Sequence, residues 1–204
     1  MDLGEPLDRK ILPAQTMLTG LTRRNVLTAA ATMVTPATRI VVSPPPFPTL
    51  RYGDLISPCV VGRAGIREDK HEGDGATPAG RYPLRRLLFR QDRIPTVASR
   101  LPIAPIQATD GWSDDPADPD YNQQIALPRP RHHEPLWRSD HLYDIIIVIG
   151  YNDAPAIPGK GSAIFLHIAG PGMTATDGCV AIPLRAIVKL AGLCGTTTLI
   201  DIRS

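Results

Sequence analysis

The sequence predicts a mainly β domain with one clear helix near its C-terminal end, and three observations carry that expectation. Proline and glycine number 22 and 17 among 204 residues, which favours loops and short strands, while 43% hydrophobic residues set the chain apart from a disordered one. Residues 143–150 (YDIIIVIG) and 164–168 (IFLHI) are short apolar runs of the length expected of buried strands. Only 183–193 has helical spacing, with Leu184, Ile187, Val188 and Ala191 predicted on one face.

In chain order, 204 residues suit one domain with an appendage. Lys and Arg total 22 against 20 acidic residues, a formal net charge of +2, so no electrostatic case exists for nucleic acid. Residues 1–42 read as a targeting segment. Thr22, Arg23, Arg24, Asn25, Val26 and Leu27 resemble a twin-arginine export signal, with 26–34 as its apolar region. That region is short of the roughly 20 apolar residues a bilayer span requires, so the expectation is export to the periplasm without a stable membrane span. Residues 43–48 (SPPPFP) read as a proline-rich linker, leaving 49–204 as the main domain.

Residues 51–62 and 82–90 read as strands flanking a Gly-rich loop at 65–80, whose charged candidates for substrate contact are Lys70, Glu72 and Asp74. A long irregular insertion at 101–138 follows. Asp114, Asp115, Asp118 and Asp120 are broken up by Pro116 and Pro119, so they read as turn formers and not as a calcium loop. Adjacent His132 and His133 lack zinc-ligand spacing, and no metal or organic cofactor is expected. Insertions of this length commonly form binding walls, which makes Trp112 and Tyr121 candidates for one side of a binding groove. Tyr151 and Asn152, just past the 143–150 strand, are further candidates, and 197–202 reads as the last strand.

The chemistry concentrates in 164–182 (IFLHIAGPGMTATDGCVAI), where His167 ends an apolar strand and Cys179 follows twelve positions later behind Gly178. A cysteine nucleophile acts as thiolate, and an imidazole or a helix N-terminus lowers its pKa. Here the predicted helix starts after Pro183. Asp177, Gly178 and Cys179 present successive backbone N–H groups suited to an oxyanion. The competing reading is a buried, inert cysteine and a core histidine. The cysteine count is odd: a pair between Cys59 and Cys194 would leave Cys179 free, while Cys194, with no histidine near it in sequence, is the weaker nucleophile candidate.

Thr176, Asp177, Gly178, Cys179 and Val180, with His167 upstream, resemble the Ser/Thr-His-Gly-Cys signature of the L,D-transpeptidase catalytic domain (YkuD type). The stretch 73–82 (GDGATPAGRY) is similar to that family's Thr-Pro-x-Gly-x-Phe hairpin, and 161–167 to its histidine strand. The wording at 62–66, 111–116 and 121–122 resembles a divergent proteobacterial branch. Asp177 stands where the common signature has histidine, and Ala181 where many members have arginine.

The resemblance implies a β-sandwich, a monomer without cofactor, and inhibition by carbapenems. It implies a peptidoglycan L,D-transpeptidase with Cys179 as nucleophile and His167 as base. Gly178 and Asp177 would lie at the oxyanion, and Thr176, Trp112, Tyr121, Tyr151, Asn152 and Lys70 at the substrate. The donor stem peptide would be cut at an L-to-D bond and passed to the diaminopimelate amine of an acceptor stem. Three alternatives stay open: a donor opened after L-Ala (a 1,3-type cross-link), hydrolysis as an L,D-carboxypeptidase, and an inert secreted wall-binding protein.

Overall fold

The computed structural model describes residues 39–204, so most of the export-signal segment lies outside the described residues. The described chain runs β1 (Arg39–Val42), β2 (Thr49–Tyr52), β3 (Leu55–Pro58), β4 (Ile66–Arg67), β5 (Thr77–Pro78), β6 (Gly80–Phe89) and β7 (Ile103–Pro105). It continues through β8 (Asp110–Ser113), β9 (Gln124–Ala126), β10 (His133–Pro135), β11 (Ile145–Ile149), β12 (Phe165–Ile168), β13 (Val180–Ile182), α1 (Leu184–Leu193) and β14 (Leu199–Ile202). The domain is thus mainly β with one α-helix among the described residues, as its composition predicts. None of the described helices is long and apolar enough to cross a membrane.

The long strand β6 organises the sheet. Its first part pairs with β14, from Gly80 opposite Ile202 to Pro83 opposite Leu199. Its second part pairs with β11 on one side and β7 on the other. The resulting order is β13-β12-β11-β6-β14-β1-β2-β3. Ile40, Leu50 and Ile200 from one end of that order share a single buried cluster with Ile147, Leu166 and Ile182 from the other. The sheet therefore closes its two halves over one core, as a sandwich does.

The run at 145–149 is continuously apolar because β11 is covered on both faces. Ile145, Ile147 and Ile149 enter the main core. Ile146 and Val148 face a second cluster with Leu88, Ile106, Trp112, Leu136 and Phe165. The insertion supplies Ile106, Trp112 and Leu136 to that cluster. Far from being irregular, it forms a three-stranded sheet in the order β10-β8-β9.

Two boundaries differ from the sequence expectation. Arg39–Val42 belongs to the domain as β1, parallel to β14 and antiparallel to β2. Ile40 and Val42 are wholly buried; their period-2 alternation merges, in sequence, with the apolar stretch upstream. The stretch 43–48 consequently closes the β1–β2 hairpin and links no separate parts: the Ser43 N–H donates to the Thr49 carbonyl at 2.9 Å, and the two side-chain hydroxyls lie 2.9 Å apart. In α1 the buried stripe is Ile187, Leu190 and Ala191, an i, i+3, i+4 set. Leu184 and Val188, predicted on that stripe, are exposed.

Candidate active site

The pairing of β12 with β13 fixes which side chains share a face. The two strands are parallel, with Leu166 opposite Val180 and His167 opposite Ala181. Leu166, Ile168, Val180 and Ile182 point into the main core. Alternation along each strand then sends Phe165, His167, Cys179 and Ala181 to the other face. This register turns a twelve-residue separation into proximity.

β13 also corrects one expectation. It lies between Cys179 and α1, so about 10 Å of extended chain separates the thiol from the helix N-terminus, whereas the helix-end field fades within a turn. The Cys179 thiol is not acidified. Burial pushes its pKa up to about 12, against the opposing effect of the Phe165 N–H. The thiol donates to the Ala163 carbonyl at 3.2 Å and accepts from the Phe165 N–H at 3.3 Å. Burial lowers the His167 pKa to about 4. Its Nδ1 lies 2.8 Å from the Ile168 carbonyl, which makes Nδ1 the protonated nitrogen and leaves Nε2 as a free acceptor. Burial thus favours the neutral form of both groups at rest.

Cys179 and His167 line one cleft of about 320 Å³, together with Glu72, Glu134, Arg138 and Tyr143. The cysteine loop is tied to the hairpin at 73–82, because Thr77 Oγ1 donates to the Cys179 carbonyl at 3.3 Å and accepts from the Gly62 N–H at 2.8 Å. Thr176, which also lines the cleft, shapes the loop: its hydroxyl donates to the Cys179 carbonyl at 2.6 Å and accepts from the Gly178 N–H at 3.2 Å. Gly178 has φ +140°, and a Cβ there would meet the Ala76 carbonyl oxygen at 2.9 Å. Glycine is required on both counts. The Asp177 side chain is exposed and paired with Arg63.

The structure brings only part of the expected substrate set to this cleft. Lys70 lines it but is buried, with its ammonium fixed on Asp74 Oδ1 at 2.6 Å and the His71 carbonyl at 2.8 Å. Trp112, Tyr121 and Asn152 do not line it, and Trp112 and Tyr151 face a second cleft of about 730 Å³. Polar atoms of Trp112, Tyr151 and Asn152 act behind the site, through Asn122, whereas the Tyr121 hydroxyl donates to Glu72 of the cleft. The Asn122 carbonyl oxygen accepts from Trp112 Nε1 at 2.9 Å and from the Ala163 N–H at 3.1 Å. Its amide donates to the carbonyls of Tyr151 and Asn152 at 3.0 and 2.8 Å. Ala163 has φ +52°, a conformation costing about 1–3 kcal/mol when held by a non-glycine residue. Asn122 thus holds in place the residue whose carbonyl receives the Cys179 thiol.

Tyr143, Glu134 and Arg138 are the site residues that sequence reasoning missed. The Tyr143 ring meets His167 edge-on, with centroids 5.2 Å apart, and Tyr143 lines the cleft together with Cys179. Burial raises the Glu134 pKa, while Arg138 opposes that rise from 3.0 Å. The available signal was the polar cluster directly before the buried 145–149 run, with Glu134 and Arg138 four residues apart. Cys59 and Cys194, offered as a disulfide pair, are both free and buried.

No curated protein and no solved structure shows a match to the chain. A family model, the L,D-transpeptidase catalytic domain (YkuD), matches residues 37–202, taking in β1, the hairpin at 73–82, the insertion, His167 and Cys179. With most of its length so matched, the chain belongs to the YkuD family of L,D-transpeptidase catalytic domains.

Proposed function

We propose that this member of an L,D-transpeptidase family transfers acyl groups between peptidoglycan stem peptides through Cys179. The observation that carries the reading is the tautomer of His167: with Nδ1–H held by the Ile168 carbonyl, the lone pair of Nε2 is available in the cleft that Cys179 lines. His167 Nε2 takes the thiol proton as sulfur attacks the carbonyl at an L-to-D bond of the donor stem. Because both groups start neutral, this transfer belongs to the attack itself. The N–H groups of Cys179 and Asp177 receive the oxyanion, since that of Gly178 is engaged by Thr176; one such donor is worth about 3–4 kcal/mol. The Tyr143 hydroxyl supports the negative charge on sulfur. The imidazolium then protonates the leaving amine. In the second half-reaction the neutral diaminopimelate amine of an acceptor stem attacks the thioester, His167 Nε2 takes the proton it sheds, the C–S bond breaks, and that proton passes to sulfur to restore the thiol.

Purified donor and acceptor muropeptides, with products sequenced by mass spectrometry, test this reading. Cross-linked dimers dependent on Cys179 are expected; trimmed monomers alone would make the enzyme an L,D-carboxypeptidase, and no product at all would favour the inert wall-binding protein. Fragment masses distinguish opening after diaminopimelate from opening after L-Ala. Such a substrate lies outside the cytoplasm, and we infer periplasmic export through Arg23 and Arg24. Replacing both with lysine should retain the protein in the cytoplasm, and unchanged periplasmic recovery would refute that inference.

A further inference from the structure

Six charged side chains line the Cys179 cleft: Lys70, Glu72, Asp114, Glu134, Arg138 and Asp177. Five have an ionic or histidine partner. Lys70 is paired with Asp74, Asp114 with His132, Glu134 with Arg138, and Asp177 with Arg63. Glu72 has no ion-pair partner among the described residues, yet its position is closely defined. Its N–H donates to the Gly159 carbonyl at 2.9 Å. Its Oε2 accepts from Ser162 Oγ at 2.7 Å and from the Tyr121 hydroxyl. That hydroxyl in turn accepts from the Gly161 N–H at 3.1 Å. Burial, followed by the Glu72 carboxylate itself, pushes the Tyr121 pKa up, so the phenol stays protonated and remains a donor.

Three segments, at 72, 121 and 161–162, therefore converge to hold one carboxylate at the cleft through neutral donors, without cancelling its charge. Neutral donors stabilise a carboxylate and leave its field intact, whereas a bound Lys or Arg would cancel it. Both hydroxyls fall on Oε2, leaving Oε1 without a hydrogen bond among the described residues. A partly buried anion of this kind attracts a cation and repels a carboxylate. Residue 181, next but one to the cysteine, is the small, buried Ala181 and supplies no competing cation.

We infer that Glu72 is the subsite for the positively charged nitrogen of the acceptor, an ammonium borne on a side chain such as that of a diamino acid. The inference rests on the acyl-transfer reading and assigns the second substrate's recognition to a residue outside the Cys/His pair. Glu72 selects the amine acceptor over water and has no part in forming the acyl-enzyme; the bound ammonium releases one proton to solvent, and the neutral amine so formed attacks the thioester. It also accounts for Tyr121 and Ser162, which position the carboxylate and do not contact substrate themselves.

The test uses the full chain and its Glu72→Gln variant, in which an amide oxygen still accepts from Tyr121 and Ser162 but the charge is gone. Carbapenem acylation of Cys179 and hydrolysis of a donor muropeptide should stay within about twofold, while KM for the amine acceptor rises about tenfold or more. In the wild-type enzyme, an acceptor analogue carrying a non-nucleophilic trimethylammonium should inhibit transfer at about tenfold lower concentration than its neutral tert-butyl isostere, a comparison that needs no variant to fold. An unchanged acceptor KM, equal inhibition by the two analogues, or equal loss of acylation and transfer in Glu72→Gln would overturn the assignment. Absence of any carbapenem adduct on wild-type Cys179 would instead bring down the acyl-transfer reading along with it.

Discussion

Cys179 and Cys194 are both free, buried thiols, and burial pushes their pKa values up to about 12 and about 11 respectively. Neither acidity nor exposure separates them. What separates them is their surroundings. Cys194 ends α1, where its N–H donates to the Leu190 carbonyl at 3.0 Å, and its sulfur is packed in the main core. Cys179 opens onto a cleft shared with a neutral histidine, a tyrosine and four carboxylates. A buried thiol becomes a nucleophile only where a base stands beside it and a cavity admits the electrophile. On the proposed reading, activation of Cys179 waits for substrate instead of residing in a standing thiolate.

The largest expected effect comes from deleting that difference. Cys179→Ala should abolish acyl-enzyme formation, with turnover down about 10⁴-fold or more by muropeptide assay; retained turnover would return Cys194 to consideration. His167→Ala should lower acylation by about 100-fold or more, and a rate near wild type would count against it as the base. The wild-type pH profile tests the same residue. Since burial holds the imidazole near 4, activity should persist below the usual histidine range and fall as pH drops through about 4, where protonation of Nε2 removes the base. An acid limb at 6 to 7 would contradict the buried, neutral imidazole. Stability should move in parallel: the unfolded chain binds this proton at about 6.5 and the folded chain only near 4, so unfolding becomes easier as pH falls across that window.

Smaller effects sharpen the contrast. Tyr143→Phe keeps the ring packing against Phe165 and His167 but removes the hydroxyl, and about a tenfold slower acylation is expected; an unchanged rate would mean the hydroxyl does not support the sulfur. Asn122→Ala strips the anchor from Ala163, so a loss of about 2–3 kcal/mol in denaturant unfolding should accompany weaker activity. The smallest change belongs to the other thiol. Cys194→Ala should leave turnover within about twofold while costing about 1 kcal/mol of stability through lost core packing.

Much of the fold was legible because its strands carry their periodicity openly: the 145–149 run, the strand before His167 and the 184–193 helix all stand near their expected places. β1 was hidden because its alternating Ile40 and Val42 adjoin an apolar export-like stretch and precede four prolines. The insertion concealed its sheet for a different reason. β8, β9 and β10 are three or four residues long, too short for periodicity to register, and much of their support comes from polar hubs such as Asn122 and Tyr121. In the site, residue types at one spacing pointed to Cys179 and His167. Their protonation states were not legible, since they depend on burial by segments distant in sequence and on β13 separating the thiol from the helix. Trp112 and Tyr121 were expected at the groove for their size and polarity. Those same properties fit them equally well for holding the layer behind it.

The most direct measurement is the site of covalent carbapenem attachment, mapped by peptide mass spectrometry in the wild-type chain, Cys179→Ala and Cys194→Ala. A single adduct on Cys179, lost only in Cys179→Ala, is the predicted result. An adduct that survives in Cys179→Ala and disappears in Cys194→Ala would contradict the assignment of the nucleophile.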